Sequence, residues 1–165
     1  YNVYDAGPAT VPAGKEEHMG SVRHEVLVKA SRAKAFAYID DYNNVPDWMF
    51  GVQSFTPVTE KKQGLGSEFE TVVKIGPKKL ESTVRCVEHV QDELIYMQAI
   101  KGFGASTRWE FADTDEPGII QVTAVFDFTL PGGVAGRVLS GLLEPAIAQG
   151  VKHVEGVLRK NIEEA

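Results

Sequence analysis

The chain has 165 residues, of which 43% are hydrophobic and 24% charged, with a formal net charge of −6. A single domain of this size buries a core without staples, and the lone cysteine, Cys86, excludes an internal disulfide. The acidic balance argues against a nucleic-acid binder, and no run of eighteen or more apolar residues is present to span a membrane.

Residues 1–20 carry Gly7-Pro8, Pro12, Gly14 and the charged run Lys15-Glu16-Glu17. They show no period of two or 3.6, which predicts a loop or extension ahead of a domain over residues 21–165. No basic stretch leading into an apolar core is visible there, so a cytoplasmic location is expected. Ser21 to Ala30 alternates, with Val22, His24, Val26 and Val28 on one face of a strand. Ser31 is placed to cap a short helix through Phe36 and Ile39. Val45 to Phe50 reads as a second short helix with Pro46 in its first turn.

From Val52 to Leu130 the pattern is strands and turns. Phe69, Thr71, Val73 and Ile75 share a face, as do Leu80, Ser82, Val84 and Cys86. In the next strand Leu94, Tyr96, Gln98 and Ile100 stand opposite Ile95, Met97 and Ala99, and the first set is taken as inward. Gly102-Phe103-Gly104 breaks the chain. Thr107, Trp109 and Phe111 follow, then the clean alternation of Ile120, Val122, Ala124, Phe126, Phe128 and Leu130. One apolar face and one charged face describe a sheet covered on a single side.

After Pro131-Gly132-Gly133 the period changes to 3.6. Val134, Val138, Leu142, Pro145, Ala148, Val151, Val154, Leu158 and Ile162 form a stripe that Leu139, Leu143, Ile147 and Val157 widen. Such a helix is about 45 Å long. It needs an extended surface to lie on, which the curved sheet supplies. Pro145 predicts a kink, and Gly136, Gly141, Gly150 and Gly156 mark either close packing or room for a ligand.

The order strand, two short helices, six strands, long helix is α+β. It resembles the helix-grip fold of the START-like (SRPBCC) superfamily, and within it the polyketide cyclase/dehydrase and lipid-transport family. The resemblance rests on the opening strand into Val28-Lys29-Ala30-Ser31-Arg32-Ala33-Lys34-Ala35-Phe36, on Pro46-Asp47-Trp48, and on the Pro-containing last helix. It implies a curved antiparallel sheet of about seven strands around the C-terminal helix, with a cavity between them. Its mouth would lie at the short helices and strand loops, including Asp40 to Phe50 and Gly102-Phe103-Gly104. The lining it implies is His24, Val26, Trp48, Met49, Phe69, Thr71 and Val73, then Ser82, Val84, Cys86, Tyr96, Gln98, Trp109 and Phe126. From the helix come Leu142, Leu143, Ile147 and Val151.

These residues identify a pocket, not a reaction. A lone histidine among apolar neighbours is ordinarily a hydrogen-bonded core residue, yet His24 and Tyr96 are the candidates for acid–base work. His89 and His153 read as surface residues. Neither the histidine spacing nor the single cysteine suggests a metal site, and no cofactor fingerprint is present. Aromatase/cyclase members of the family use an inward arginine, which neither Arg85 nor Arg108 supplies on this register. The expected function is binding or transport of a small hydrophobic molecule: a lipid, a fatty acid or a polyketide-like compound. A cyclase or dehydratase and a protein-interaction module remain the alternatives.

Overall fold

A computed structural model describes residues 2–10, 16–130 and 132–163. One sheet of eight antiparallel strands is formed by β1 (Asn2–Thr10), β2 (Glu16–Lys29), β3 (Val52–Pro57), β4 (Glu68–Ile75), β5 (Lys78–Val90), β6 (Leu94–Gly102), β7 (Ala105–Asp113) and β8 (Ile119–Leu130). Its order is β1-β2-β8-β7-β6-β5-β4-β3. Strands β3 to β8 are a meander, and β2 closes onto β8, so the first and last strands of the core sheet are neighbours. Helices α1 (Arg32–Asp40) and α2 (Val45–Trp48) link β2 to β3, and α3 (Gly133–Leu158) ends in a π-turn, Arg159–Glu163. Among the described residues no helix is long and apolar enough to cross a membrane. The α+β helix-grip reading of the sequence is the fold observed.

The local chemistry explains the element ends. Ser31 Oγ accepts from the Lys34 backbone N–H at 3.1 Å and starts α1. Asp41 caps the turn that follows, accepting from Asn43 N–H at 3.0 Å. Pro46 occupies the first turn of α2, where its missing N–H costs nothing.

Two expectations need correction. Residues 2–10, read as loop, form β1, which pairs with β2 from Asn2↔Arg23 to Thr10↔Glu16 and adds an eighth strand. An edge strand takes its stability from backbone bonding to its neighbour, which leaves no side-chain period to read. Pro8 borders the register shift in this strand, a position that an edge strand tolerates. The second correction concerns the helix stripe. Val134 and Val138 are 71% and 51% exposed, whereas Leu139, Leu143, Leu158 and Ile162 are buried. At the start of α3 the buried face therefore runs through Leu139 and Leu143, which widen the expected stripe, and not through Val134 and Val138, whereas Leu158 and Ile162 of the stripe are buried as expected.

The interior holds two separate apolar clusters. One joins Val28, Phe36, Ile39, Trp48, Ile95, Trp109, Phe111, Ile120, Val122, Leu158 and Ile162. The other joins Leu130, Leu139 and Leu143 with Ile75, Leu80, Phe103 and Phe128. A domain ordinarily has one contiguous core; here the interruption is a hollow.

Candidate functional site: a cavity between sheet and helix

The hollow measures about 260 Å³. An apolar cavity of roughly 150 Å³ already holds benzene, so this one accepts more than a single ring. Its floor is the concave face of the sheet, through Val22 and His24 of β2, Phe69, Thr71 and Val73 of β4, Ser82, Val84 and Cys86 of β5, Thr107 and Trp109 of β7, and Ala124, Phe126 and Phe128 of β8. Its roof is α3, through Leu143, Ala146, Gly150, Val151 and Val154. Trp48, Met49 and Phe50 enclose one side, and Phe103 of the β6–β7 turn lines another part.

Several small residues shape this space. Gly20 pairs with Phe128, whose ring lies where a Cβ on Gly20 would sit, so the ring folds across the sheet there. Gly150 faces Phe50 at ordinary contact distance, with Phe50 Cβ 3.5 Å from the position of a Cβ on that glycine, so an alanine would also fit there. Gly141 and Gly156 face open space and have no such role.

Pairing across five strands places His24, Ala124, Trp109, Ile95 and His89 in one row. Ala124, which stands between His24 and Trp109 in this row, carries only a methyl group, and all three line the cavity. Trp48 stands edge-on to Trp109, with ring centroids 4.8 Å apart, and is 2% exposed. It belongs to the inner wall and not to a solvent-facing rim. Two buried nitrogens in this wall, His24 Nε2 and Trp48 Nε1, have no hydrogen-bond partner among the described residues. The carboxylate of Glu155 approaches His24 Nε2 only to 3.7 Å. Burial holds the His24 pKa below the ordinary value of 6.5, and the opposing pull of Glu155 is the weaker influence.

A second polar cluster stands where α1, β5 and the β3–β4 loop meet. His89 Nε2 lies 3.1 Å from both carboxylate oxygens of Asp40, and Gln63 Nε2 donates to Asp40 Oδ2 at 2.6 Å. The Asp40 and His89 side chains are 8% and 16% exposed. Asp40 and Gln63 line the cavity. Next to them Ser67 Oγ donates to the carbonyl of Gly64 at 2.6 Å, and burial, helped by Asp40, pushes the Cys86 thiol up to about 11.

His24, Trp48, Met49, Phe69, Thr71, Val73, Ser82, Val84, Cys86, Trp109, Phe126, Leu143 and Val151 all line the cavity. Four other candidates do not. Tyr96 and Gln98 lie on the convex face, where the Arg108 guanidinium sits 5.4 Å above the Tyr96 ring, and Ile95 and Met97 take the inward positions. The β6 segment is apolar at both parities, so alternation alone could not select the face. Val26 is buried in the first cluster, away from the cavity. Leu142 packs toward the β4–β5 turn, its Cδ2 3.5 Å from a Cβ position on Gly76. The side chain of Ile147 lies outside the described residues.

His89 was expected at the surface. A bulge between Cys86 and Glu88 shifts the β5 register by one and turns His89 inward with Ile95. No sequence signal marks that bulge. Arg85 bridges to Glu68 at 2.7 Å and Arg108 to Glu110 at 2.7 Å on the outer face. Among the described residues no lysine or arginine lines the cavity.

A profile of the family described as "Polyketide cyclase / dehydrase and lipid transport" matches residues 19–159. A sequence search among curated proteins finds no match. The fold is similar to that of a protein from Thermus thermophilus, at 17% identity, TM-score 0.71, covering 87% of this chain and 97% of that one. It is also similar to a START superfamily protein from Mycobacterium smegmatis, at 14% identity, TM-score 0.67, with coverage of 87% and 97%. The ZhuI aromatase/cyclase from Streptomyces sp. R1128 shares the fold at 15% identity, TM-score 0.68, with coverage of 88% and 96%. At such identities these likenesses concern the fold alone; with the profile spanning most of its length, the chain belongs to the polyketide cyclase/dehydrase and lipid-transport family.

Proposed function

We propose that the protein binds and carries a small hydrophobic molecule of the lipid, fatty-acid or polyketide-like class in the cavity beneath α3. The observation that carries this reading is the hollow of about 260 Å³ separating two packed clusters, with mostly apolar walls. Dry apolar surface without packing partners is a stability cost that a ligand removes. A ligand burying about 200 Å² gains roughly 5 kcal/mol at 25 cal/mol per Å², before the cost of association. An open cavity also argues against a pure protein-interaction module, which has no need of one.

Both tryptophans of the chain, Trp48 and Trp109, line the cavity, so intrinsic fluorescence serves as the readout. Titration with a long-chain fatty alcohol and with an aryl ketone is expected to change that emission saturably. Native mass spectrometry after mild extraction is expected to show a bound small molecule. Silence in both experiments removes the proposal.

One observation favours a second reading, a cyclase or dehydratase. His24 is a wall residue with a free Nε2 and a depressed pKa, the state a general base needs near neutrality. Tyr96, on the convex face, has no part in it. Turnover of a poly-β-ketone mimic that is lost in His24→Ala supports this chemistry. Turnover that survives the substitution rules out His24 as its base.

A further inference from the structure

The inference here rests on the binding reading above and narrows its ligand class. An indole N–H only donates, and an imidazole nitrogen donates or accepts according to tautomer. Trp48 Nε1 and His24 Nε2 are buried in the cavity wall without hydrogen-bond partners among the described residues. Buried polar groups are ordinarily hydrogen-bonded, because each left unpaired keeps its full desolvation penalty. Both residues line the same cavity, His24 paired with Ala124 across β2 and β8, and Trp48 in ring contact with Trp109, which pairs with Ala124 from the other side. An oxygen that accepts from the indole, and that accepts from or donates to the imidazole, satisfies this wall.

We infer that the cavity selects an uncharged molecule bearing a hydrogen-bond-accepting oxygen, a ketone or hydroxyl, held by Trp48 Nε1 and His24 Nε2, and that it rejects carboxylates. The charge half of the argument is independent of the first. Among the described residues the wall carries the Asp40 carboxylate and no lysine or arginine. Glu155, 3.7 Å from His24 Nε2, is ion-paired with Arg159 at 2.9 Å and does not line the cavity. A carboxylate ligand therefore meets the Asp40 charge and no lysine or arginine in the wall to repay its desolvation. An ammonium ligand finds Asp40 already engaged by His89 and Gln63.

The test is a matched series on one apolar frame: naphthalene, 2-acetylnaphthalene, 2-naphthoate and 2-naphthylmethylamine, titrated by calorimetry and by tryptophan emission. In the unaltered protein the ketone is expected to bind about tenfold tighter than naphthalene, the equivalent of one satisfied hydrogen bond, with naphthoate weakest. Trp48→Phe, checked for folding by circular dichroism, is expected to erase the ketone's advantage, read as the ratio of ketone to naphthalene affinity within the same variant. His24→Phe is expected to reduce that advantage in part and serves if Trp48→Phe does not fold. Equal binding of ketone and naphthalene overturns the inference while the binding reading stands. Tightest binding of naphthoate or of the amine overturns it too. Failure of all four to bind a folded protein removes the binding reading and this inference with it.

Discussion

Two titratable side chains of the cavity wall make opposite demands on pH. His24 is held below the ordinary 6.5 by burial. As pH falls below about 6.5 the unfolded chain takes up a proton that the folded one resists, so the unfolded state binds more protons and stability declines. The contribution is complete above that value and is lost as pH falls toward the folded pKa. His24→Gln is expected to flatten this part of a stability-versus-pH curve measured by urea denaturation. Cys86 behaves in the reverse sense, its thiol raised from the ordinary 9.0 to about 11. Between those values the folded state keeps a proton that the unfolded state loses, so stability falls as pH rises through that window. Buried and protonated, the thiol is expected to react with iodoacetamide at neutral pH orders of magnitude more slowly in the native protein than in urea. Equal rates would mean that the β5 wall opens freely.

Glycine is required at some positions of these elements and merely tolerated at others. Gly102 ends β6 at φ +81°, and a Cβ there would run into the backbone carbonyl of Glu81. Gly102→Ala is expected to destabilise by more than about 1 kcal/mol, since both the left-handed backbone and the close approach oppose it. Gly141 and Gly156 lie inside α3, where a methyl group meets nothing within 4 Å. Gly141→Ala is expected to stabilise by about 0.5–1 kcal/mol through helix propensity alone. Chemical denaturation of the two variants checks both signs. The π-turn end of α3 is fastened to the rest of the fold, Glu163 accepting from the Lys29 N–H at 3.0 Å and Asn161 donating to the Tyr38 hydroxyl at 2.8 Å. The first turns of α3, where Val134 and Val138 are exposed, have no such fastening to β2 or α1 among the described hydrogen bonds.

For the molecule as a whole, the hollow means that folding leaves apolar surface uncovered until something occupies it. A ligand present at about 100 times its Kd is expected to add about 2.7 kcal/mol of stability. For a chain of this length that raises Tm by roughly 5–11 °C. Differential scanning fluorimetry with 2-acetylnaphthalene checks it, and an unchanged Tm at saturating concentration contradicts binding to the folded state. The shift should be smaller in Trp48→Phe.

Sequence and structure divide this protein along a physical line. Alternation read the concave face of β2, β4, β7 and β8 without error, because those strands are polar at one parity and apolar at the other. It read β6 inverted, because Tyr96 and Met97 both fit a half-buried surface and only pairing to β7 decides between them. His89 escaped for a related reason, since the β5 bulge is a property of strand pairing and not of residue type. Edge strand β1 left no period to find. The order of elements from β2 onward was thus read from local periodicity, and the fold and most of the cavity wall followed from that order together with the family resemblance carried by the sequence. What only the tertiary structure decided is where two cores stop short of each other, and which nitrogens are left unpaired in the gap, because both depend on side chains brought together from distant strands.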